Sequence, residues 1–200
     1  MSATRTLDVS RLAPGAFGHR SILWWGTAGF MVIEFAAFAM TIAAYFYIRT
    51  RVPYWPPNTP SPDHLWGAIN TAIMIASLVP NELARRAADA VDLMKVRLWM
   101  TVALLFGLAF NIVRIFEFAH LNVRWDTNAY GSAVWFLLGL HTTHLITDTF
   151  DTIVLAALMF AGPLEGRRFV DVSENAVYWY FVVLAWFPIY AVIYFAPRVL

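Results

Sequence analysis

The chain has 200 residues, of which 60% are hydrophobic and 14% charged, against roughly 25% charged in ordinary globular proteins. That balance, with a mean hydropathy of +0.60, argues against a soluble domain, and a net charge of +1 leaves no electrostatic footprint for nucleic acid. The absence of cysteine excludes disulfides, thiolate metal sites, iron–sulfur clusters and cysteine nucleophiles.

The opening stretch, MSATRTLDVSRLAPGAFGHR, has no apolar run of the kind a cleavable signal needs. Residues 1–21 are therefore expected to stay as an N-terminal cytoplasmic segment. A helix must run about 20 mostly apolar residues to cross a bilayer, and five stretches approach that length, at about 22–48, 65–83, 98–118, 131–160 and 176–196. The second is the weakest, since Asn70, Ser77 and Pro80 interrupt it. Between the spans, RVPYWPPNTPSPD is too rich in proline to be helical. ARRAADAVDLMKVR reads as a charged junction, and AGPLEGRRFVDVSE as a turn-rich link. The expected fold is all-α: one polytopic membrane bundle of five transmembrane helices over residues 22–200.

Basic residues set the orientation. Arg5, Arg11, Arg20, Arg85, Arg86, Lys95, Arg97, Arg167 and Arg168 fall on one side, nine against the four of Arg49, Arg51, Arg124 and Arg198 on the other. The N-terminus is expected inside and the C-terminus outside. Trp24, Trp25, Tyr45, Tyr47, Trp99, Tyr178 and Trp179 suit interfacial belts, with some of them packing between helices.

Ionisable groups within such spans are candidates for function, because a charge at the bilayer centre costs about 2.5–3.5 kcal/mol even on insertion scales. Glu34 lies between GFMVI and FAAFAM in the first span. It reads either as a proton-exchanging or lipid-contacting carboxyl, or as a neutral acid hydrogen-bonded across the bundle. Arg114 and Glu117, at i and i+3 in the third span, form an expected ion pair facing the interior, and His120 at its end reads as interfacial. In LLGLHTTHLITDTFD, the residues His141, His144, Asp148 and Asp151 recur at helical spacing on one face. A metal there would need ligands from other helices, with Glu34 and Glu117 the obvious donors. Polar packing, through Thr142, Thr147 or neighbouring helices, is the favoured reading, and no metal site is assigned.

At these residues the sequence resembles subunit III of the haem–copper oxidases, the cytochrome c and quinol oxidase complexes. GTAGFMVIEFAAFAMTIAAYFYIR is similar to the family's glycine-led helix with its buried glutamate, at Glu34. INTAIMIASLVP resembles the Asn-Thr segment at Asn70 and Thr71, and TVALLFGLAFNIVRIFEFAHL the helix whose late glutamate matches Glu117. YGSAVWFLLGLHTTHLITDTF resembles the family's glycine–serine helix with its H-x-x-H, at Gly131, Ser132, Phe136, Gly139, His141 and His144. AVYWYFVVLAWFPIYAVIY resembles the terminal helix, at Tyr178, Trp179, Phe181, Val182, Trp186 and Tyr190. The resemblance runs in order over about residues 22–195. The chain departs from the pattern at Leu138, where the family has threonine, and at Asp148, where it has glycine. In the last helix Tyr180 replaces histidine and Val183 replaces an acid.

The resemblance implies an accessory, non-redox subunit of a bacterial cytoplasmic-membrane respiratory oxidase, without catalytic residues of its own. Haem and copper would belong to a partner catalytic subunit I. This chain would support assembly, proton uptake and stability during oxygen reduction coupled to proton pumping, and would bind phospholipid. Glu34, Glu117, His141, His144 and Asp148 are its candidate polar network. The two helices that longer members carry ahead of the first span, and that help form a lipid-filled cleft, have no counterpart in the five spans. Two other readings stand beside this one: an accessory subunit of a nitric oxide reductase or specialised oxidase supercomplex, and an independent transporter or proton channel.

Overall fold

The computed structural model describes residues 17–162 and 165–199. Most of the 1–21 segment, with Arg5 and Arg11, lies outside the described residues, as do Pro163 and Leu164 of the last link. Among the described residues five long helices follow one another: α1 (Ile22–Arg49), α2 (Leu65–Asp89), α3 (Leu93–Ala119), α4 (Ala129–Ala161) and α5 (Gly166–Tyr190). A π-helical turn, Ala191–Phe195, and a last turn, α6 (Ala196–Val199), continue α5.

The helix starts are capped by side chains that accept otherwise unpaired N–H groups. Ser21 accepts from Leu23, Asp92 from Lys95, and Asn128 from Gly131 at 2.8 Å. Gly131 has no alternative at its position, because a Cβ there would run into the Arg124 carbonyl and the Val123 side chain. Between α2 and α3 the chain reverses in three residues. Asp92 N–H donates to Ala87 O and Val91 N–H to Ala88 O, each at 2.9 Å, the Schellman arrangement, with Val91 at φ 55°.

The two junctions are therefore shorter than the sequence suggested. The ARRAADAVDLMKVR stretch is mostly helix, broken only at Ala90–Asp92, and Arg167–Glu174 of the supposed link is the first part of α5. Periodicity in both stretches was masked by charge: Arg85 and Arg86 pair with Glu82 one turn away, and Arg85 also with Asp89.

Among the described residues four helices are long and apolar enough to cross a membrane; α2 falls below them. Its buried residues explain the difference. Gly67, Asn70, Met74, Ser77, Asn81, Ala84 and Ala88 recur at alternating three- and four-residue steps, and this inward stripe is small and polar. Small and polar residues at helix contacts permit close packing and cross-helix hydrogen bonds. Gly67 is the extreme case, since a Cβ there would sit inside the Tyr194 ring.

The α2–α3 pair packs on α4 and α5, α2 mainly on α5 and α3 on α4, while α1 lies against α4 and α5. The apolar core falls into two clusters. One contains Met74, Phe110, Leu145 and Trp179; the other contains Ala84, Met100, Leu155 and Val172. On each of these four helices small or polar residues line the gap between the two clusters, namely Ser77 and Asn81, Gly107, Asp148, Thr149 and Thr152, and Asn175, joined on α3 by Leu104. The outer face of α1 is open, with Trp25, Phe30, Val32, Ile33, Phe35 and Met40 all more than half exposed. The proline-rich segment after α1 is held from several sides. Asn122 Nδ2 donates to Pro60 O at 2.5 Å, Arg198 Nη2 to Pro62 O at 2.6 Å, and Asn128 Nδ2 to Pro57 O at 3.4 Å.

Candidate functional site

The predicted polar residues separate into two centres. The first joins α1, α4 and α5. Glu34 Oε1 lies 3.0 Å from His144 Nε2, and the Tyr178 hydroxyl donates to both Glu34 oxygens at 3.1 and 2.9 Å. His144 Nδ1 is 2.6 Å from the Leu140 carbonyl. A carbonyl only accepts, so Nδ1 carries a hydrogen. The Nε2–Glu34 contact therefore holds one shared proton, either as imidazolium with carboxylate or as imidazole with carboxylic acid. Phe38, one turn on from Glu34, packs on the His144 ring at a centroid distance of 4.9 Å and narrows the choice of ring orientation.

The second centre joins α2, α3, α4 and the π-helical turn. Arg114 Nη1 is 2.9 Å from Glu117 Oε2, and both side chains are 1% exposed. Asn70 Nδ2 donates to the same oxygen at 3.1 Å, and the Tyr194 hydroxyl to Oε1 at 2.6 Å. Arg114 also donates from Nη2 to His141 Nδ1 at 3.2 Å and lies over the Trp186 ring, 4.3 Å from its centroid. Because arginine has no acceptor, His141 Nδ1 is unprotonated, and its Nε2–H donates to Val182 O at 3.1 Å. A buried ion pair is tolerable only when its remaining donors and acceptors are occupied; Glu117 meets that condition on both oxygens, whereas Arg114 Nε and Asn70 Oδ1 have no hydrogen-bond partner among the described residues.

The stripe of the opening motif thus fans out instead of acting as one unit. His141 faces the Arg114 centre, His144 faces Glu34, and Asp148 and Asp151 share Asn175, whose Nδ2 donates to them at 3.3 and 3.1 Å. Thr142 and Thr147 take no part; each donates to carbonyls of its own helix. His120 is exposed, donates to Phe116 O and lies on Trp66. Neither departure of the last helix meets Asp148. Val183 is buried in apolar core, and the Tyr180 hydroxyl donates to Glu82 on α2 at 2.6 Å. The α4 carboxylate is instead held two turns earlier on α5, by Asn175.

Glu34, His144 and Tyr178 open onto a cleft of about 640 Å³ between α1, α4 and α5. Leu23, Phe30, Leu155 and Leu158 give it apolar walls, while Asp148, Asp151, Asp171 and Glu174 add carboxyls toward the α5 start. Sequence reasoning missed several of these partners. Asp171 and Glu174 were hidden in the supposed link, Asn175 fell between that link and the last expected span, and Tyr178 was assigned to an interfacial belt. Tyr194 had a readable signal in Gly67, Asn70 and Glu117, but only tertiary contact relates the three.

A metal or haem does not fit these groups. Both buried histidines have their two ring nitrogens engaged by protein partners. Among the described residues no cluster of three or more His, Asp or Glu side chains is arranged to hold an ion.

Comparison with known proteins places this geometry in a family. A 190-residue stretch is 27% identical to cytochrome c oxidase subunit 3 of Synechocystis, covering 91% of this chain and 79% of that protein. A protein of Mycobacterium leprae described as a probable cytochrome c oxidase subunit 3 is 30% identical, over 85% of this chain and 86% of its own length. The haem–copper oxidase subunit I+III of Aeropyrum pernix is 28% identical over 86% of this chain, which spans 22% of that longer protein. Residues 19–197, which take in all five helices, match the family described as cytochrome c oxidase subunit III. The chain belongs to the cytochrome c oxidase subunit III family.

Proposed function

We propose that the chain acts as the accessory, non-redox subunit III of a respiratory haem–copper oxidase in the bacterial cytoplasmic membrane. The observation that carries this reading is the family match over residues 19–197. The relative named subunit I+III supports a catalytic subunit I, which would hold the haem and copper, as the partner. All five helices would span the bilayer, with the N-terminus inside. At 25 residues α2 reaches about 37 Å at 1.5 Å per residue, beyond the roughly 30 Å of hydrocarbon, and its polar groups turn inward.

Within that assembly Glu34, His144 and Tyr178 form a proton-exchanging and lipid-facing site. Their shared proton supports a contribution to proton uptake, and the apolar walls of the cleft support the acyl chains of a bound phospholipid. Arg114, Glu117, His141, Asn70 and Tyr194 form the structural centre that keeps the helices in register, while Asp148 ties α4 to α5. The chain would stabilise the catalytic subunit during oxygen reduction coupled to proton pumping, without carrying electrons.

Native purification through this chain, with mass spectrometry of its partners and a haem spectrum, is the test. The expected outcome is co-purification with a haem–copper core that reduces oxygen. Isolation of this chain alone in folded form, or with a core that reduces nitric oxide but not oxygen, would reject the reading.

A further inference from the structure

We propose that the interior of the bundle holds a bound-water site, and that Asp148 with Asn175 forms the polar wall through which water reaches it from the cleft. The two apolar clusters of the core are separated by a layer in which Ser77, Asn81, Asp148, Thr149, Thr152 and Asn175 face inward from three helices. That layer forms the polar side of a cavity of about 30 Å³, whose other walls are apolar, Met100, Leu104, Phe110 and Trp179 among them. A single water needs roughly 10–15 Å³ and two to four polar partners, so the cavity has room for at least one. Ser77, Asn81, Thr149, Thr152 and Asn175 each already hold a protein partner, and their remaining acceptor positions, with those of Asp148, give a water the polar contacts it needs. Apolar side chains would close such a gap at lower cost, and this sequence places six polar ones there.

Asp148 and Asn175 line both this cavity and the cleft. Asp148 is 6% exposed, and one of its oxygens accepts from Asn175. The Asn175 amide is held at both ends: Nδ2 donates to Asp148 and Asp151, and Oδ1 accepts from the Thr152 hydroxyl at 3.3 Å. These hydrogen bonds, at 3.1 to 3.3 Å, sit at or beyond the long end of ordinary lengths, and a water inserted between Asp148 and Asn175 replaces what it breaks. The wall is therefore polar, thin and exchangeable. The other ionisable groups facing it from the cleft are Glu34 on α1, His144 and Asp151 on α4, and Asp171, Glu174 and Tyr178 on α5.

Hydroxyl radicals generated by X-ray pulses from bound water oxidise the side chains beside it, which makes buried residues reporters. Met100 and Trp179 line the cavity, whereas the equally buried Met74 and Met159 do not. In native membranes carrying the whole assembly, Met100 and Trp179 are expected to oxidise several-fold faster than Met74 and Met159. Asp148→Leu should bring them down to the control rate, and Asp148→Asn, which keeps a polar wall of the same size, should not. Should Asp148→Leu prevent assembly, Thr152→Val removes a hydroxyl at the same wall and is expected to slow Met100 and Trp179 alone. Equal rates for all four residues in the unaltered protein would overturn the water site. Rates unchanged by both Asp148→Leu and Thr152→Val would overturn the wall as its entrance.

Discussion

Glu34, near the middle of α1, and Glu117, in the last turn of α3, are both carboxyls in apolar helices, yet their surroundings ask different things of them. Glu117 receives Arg114, Asn70 and Tyr194 in a sealed setting, so its charge is part of the packing. Replacing it as Glu117→Gln leaves the Arg114 charge buried without its counter-ion, a change that costs about 3–5 kcal/mol in buried pairs. Thermal unfolding in detergent should show that loss, together with reduced recovery of the assembled complex. Glu34 shares one proton with His144 at the edge of an open cleft. For Glu34→Ala the expected outcome is normal assembly but a shorter working life, measured as oxygen consumption followed through sustained turnover. An unaltered decay would remove the case for a functional carboxyl. That both glutamates mattered was legible in the sequence, because an acid in an apolar run stands out. Which one was structural was not legible, since the answer lies in Tyr194 and Tyr178, residues far along the chain.

Between residue and bundle, the helices differ in how openly they declare themselves. The first, third and fourth could be read from hydropathy to within a few residues. The start of α5 could not, because Arg167, Arg168, Asp171 and Glu174 lower the local hydropathy while forming its first turns. The Schellman turn after α2 carries a β-branched residue where glycine is usual, since Val91 holds φ at 55°. Val91 is 56% exposed, so little packing is lost on replacing it. Val91→Gly should stabilise the α2–α3 hairpin by about 1 kcal/mol, seen as a higher unfolding temperature with unchanged activity. Asp148→Gly removes one of the three α4 groups that hold Asn175, leaving Asp151 and Thr152. Losing an acceptor for a half-buried amide costs about 1 kcal/mol, and the complex should dissociate at lower detergent concentration. Equal stability would show that Asp148 contributes nothing to the helix contact.

At the scale of the molecule, charge distribution and helix count combine into a topology that can be tested. With the N-terminus inside and five crossings, cysteines placed singly at Arg86 and at Asn58 should react with an impermeant reagent from opposite sides of sealed vesicles. Labelling of both from one side would refute the five-span arrangement. The membrane class and the order of the helices were legible because hydropathy and basic residues act locally. The division of the polar residues into two centres depends on helix rotation, which neither property encodes. One consequence of the arrangement concerns time. Synthesis delivers α1 to the bilayer before α4 and α5, where the partners of Glu34 reside, more than a hundred residues later in the chain. During that interval Glu34 stands in lipid without His144 or Tyr178, so the last helix to arrive is the one that completes the environment of the first.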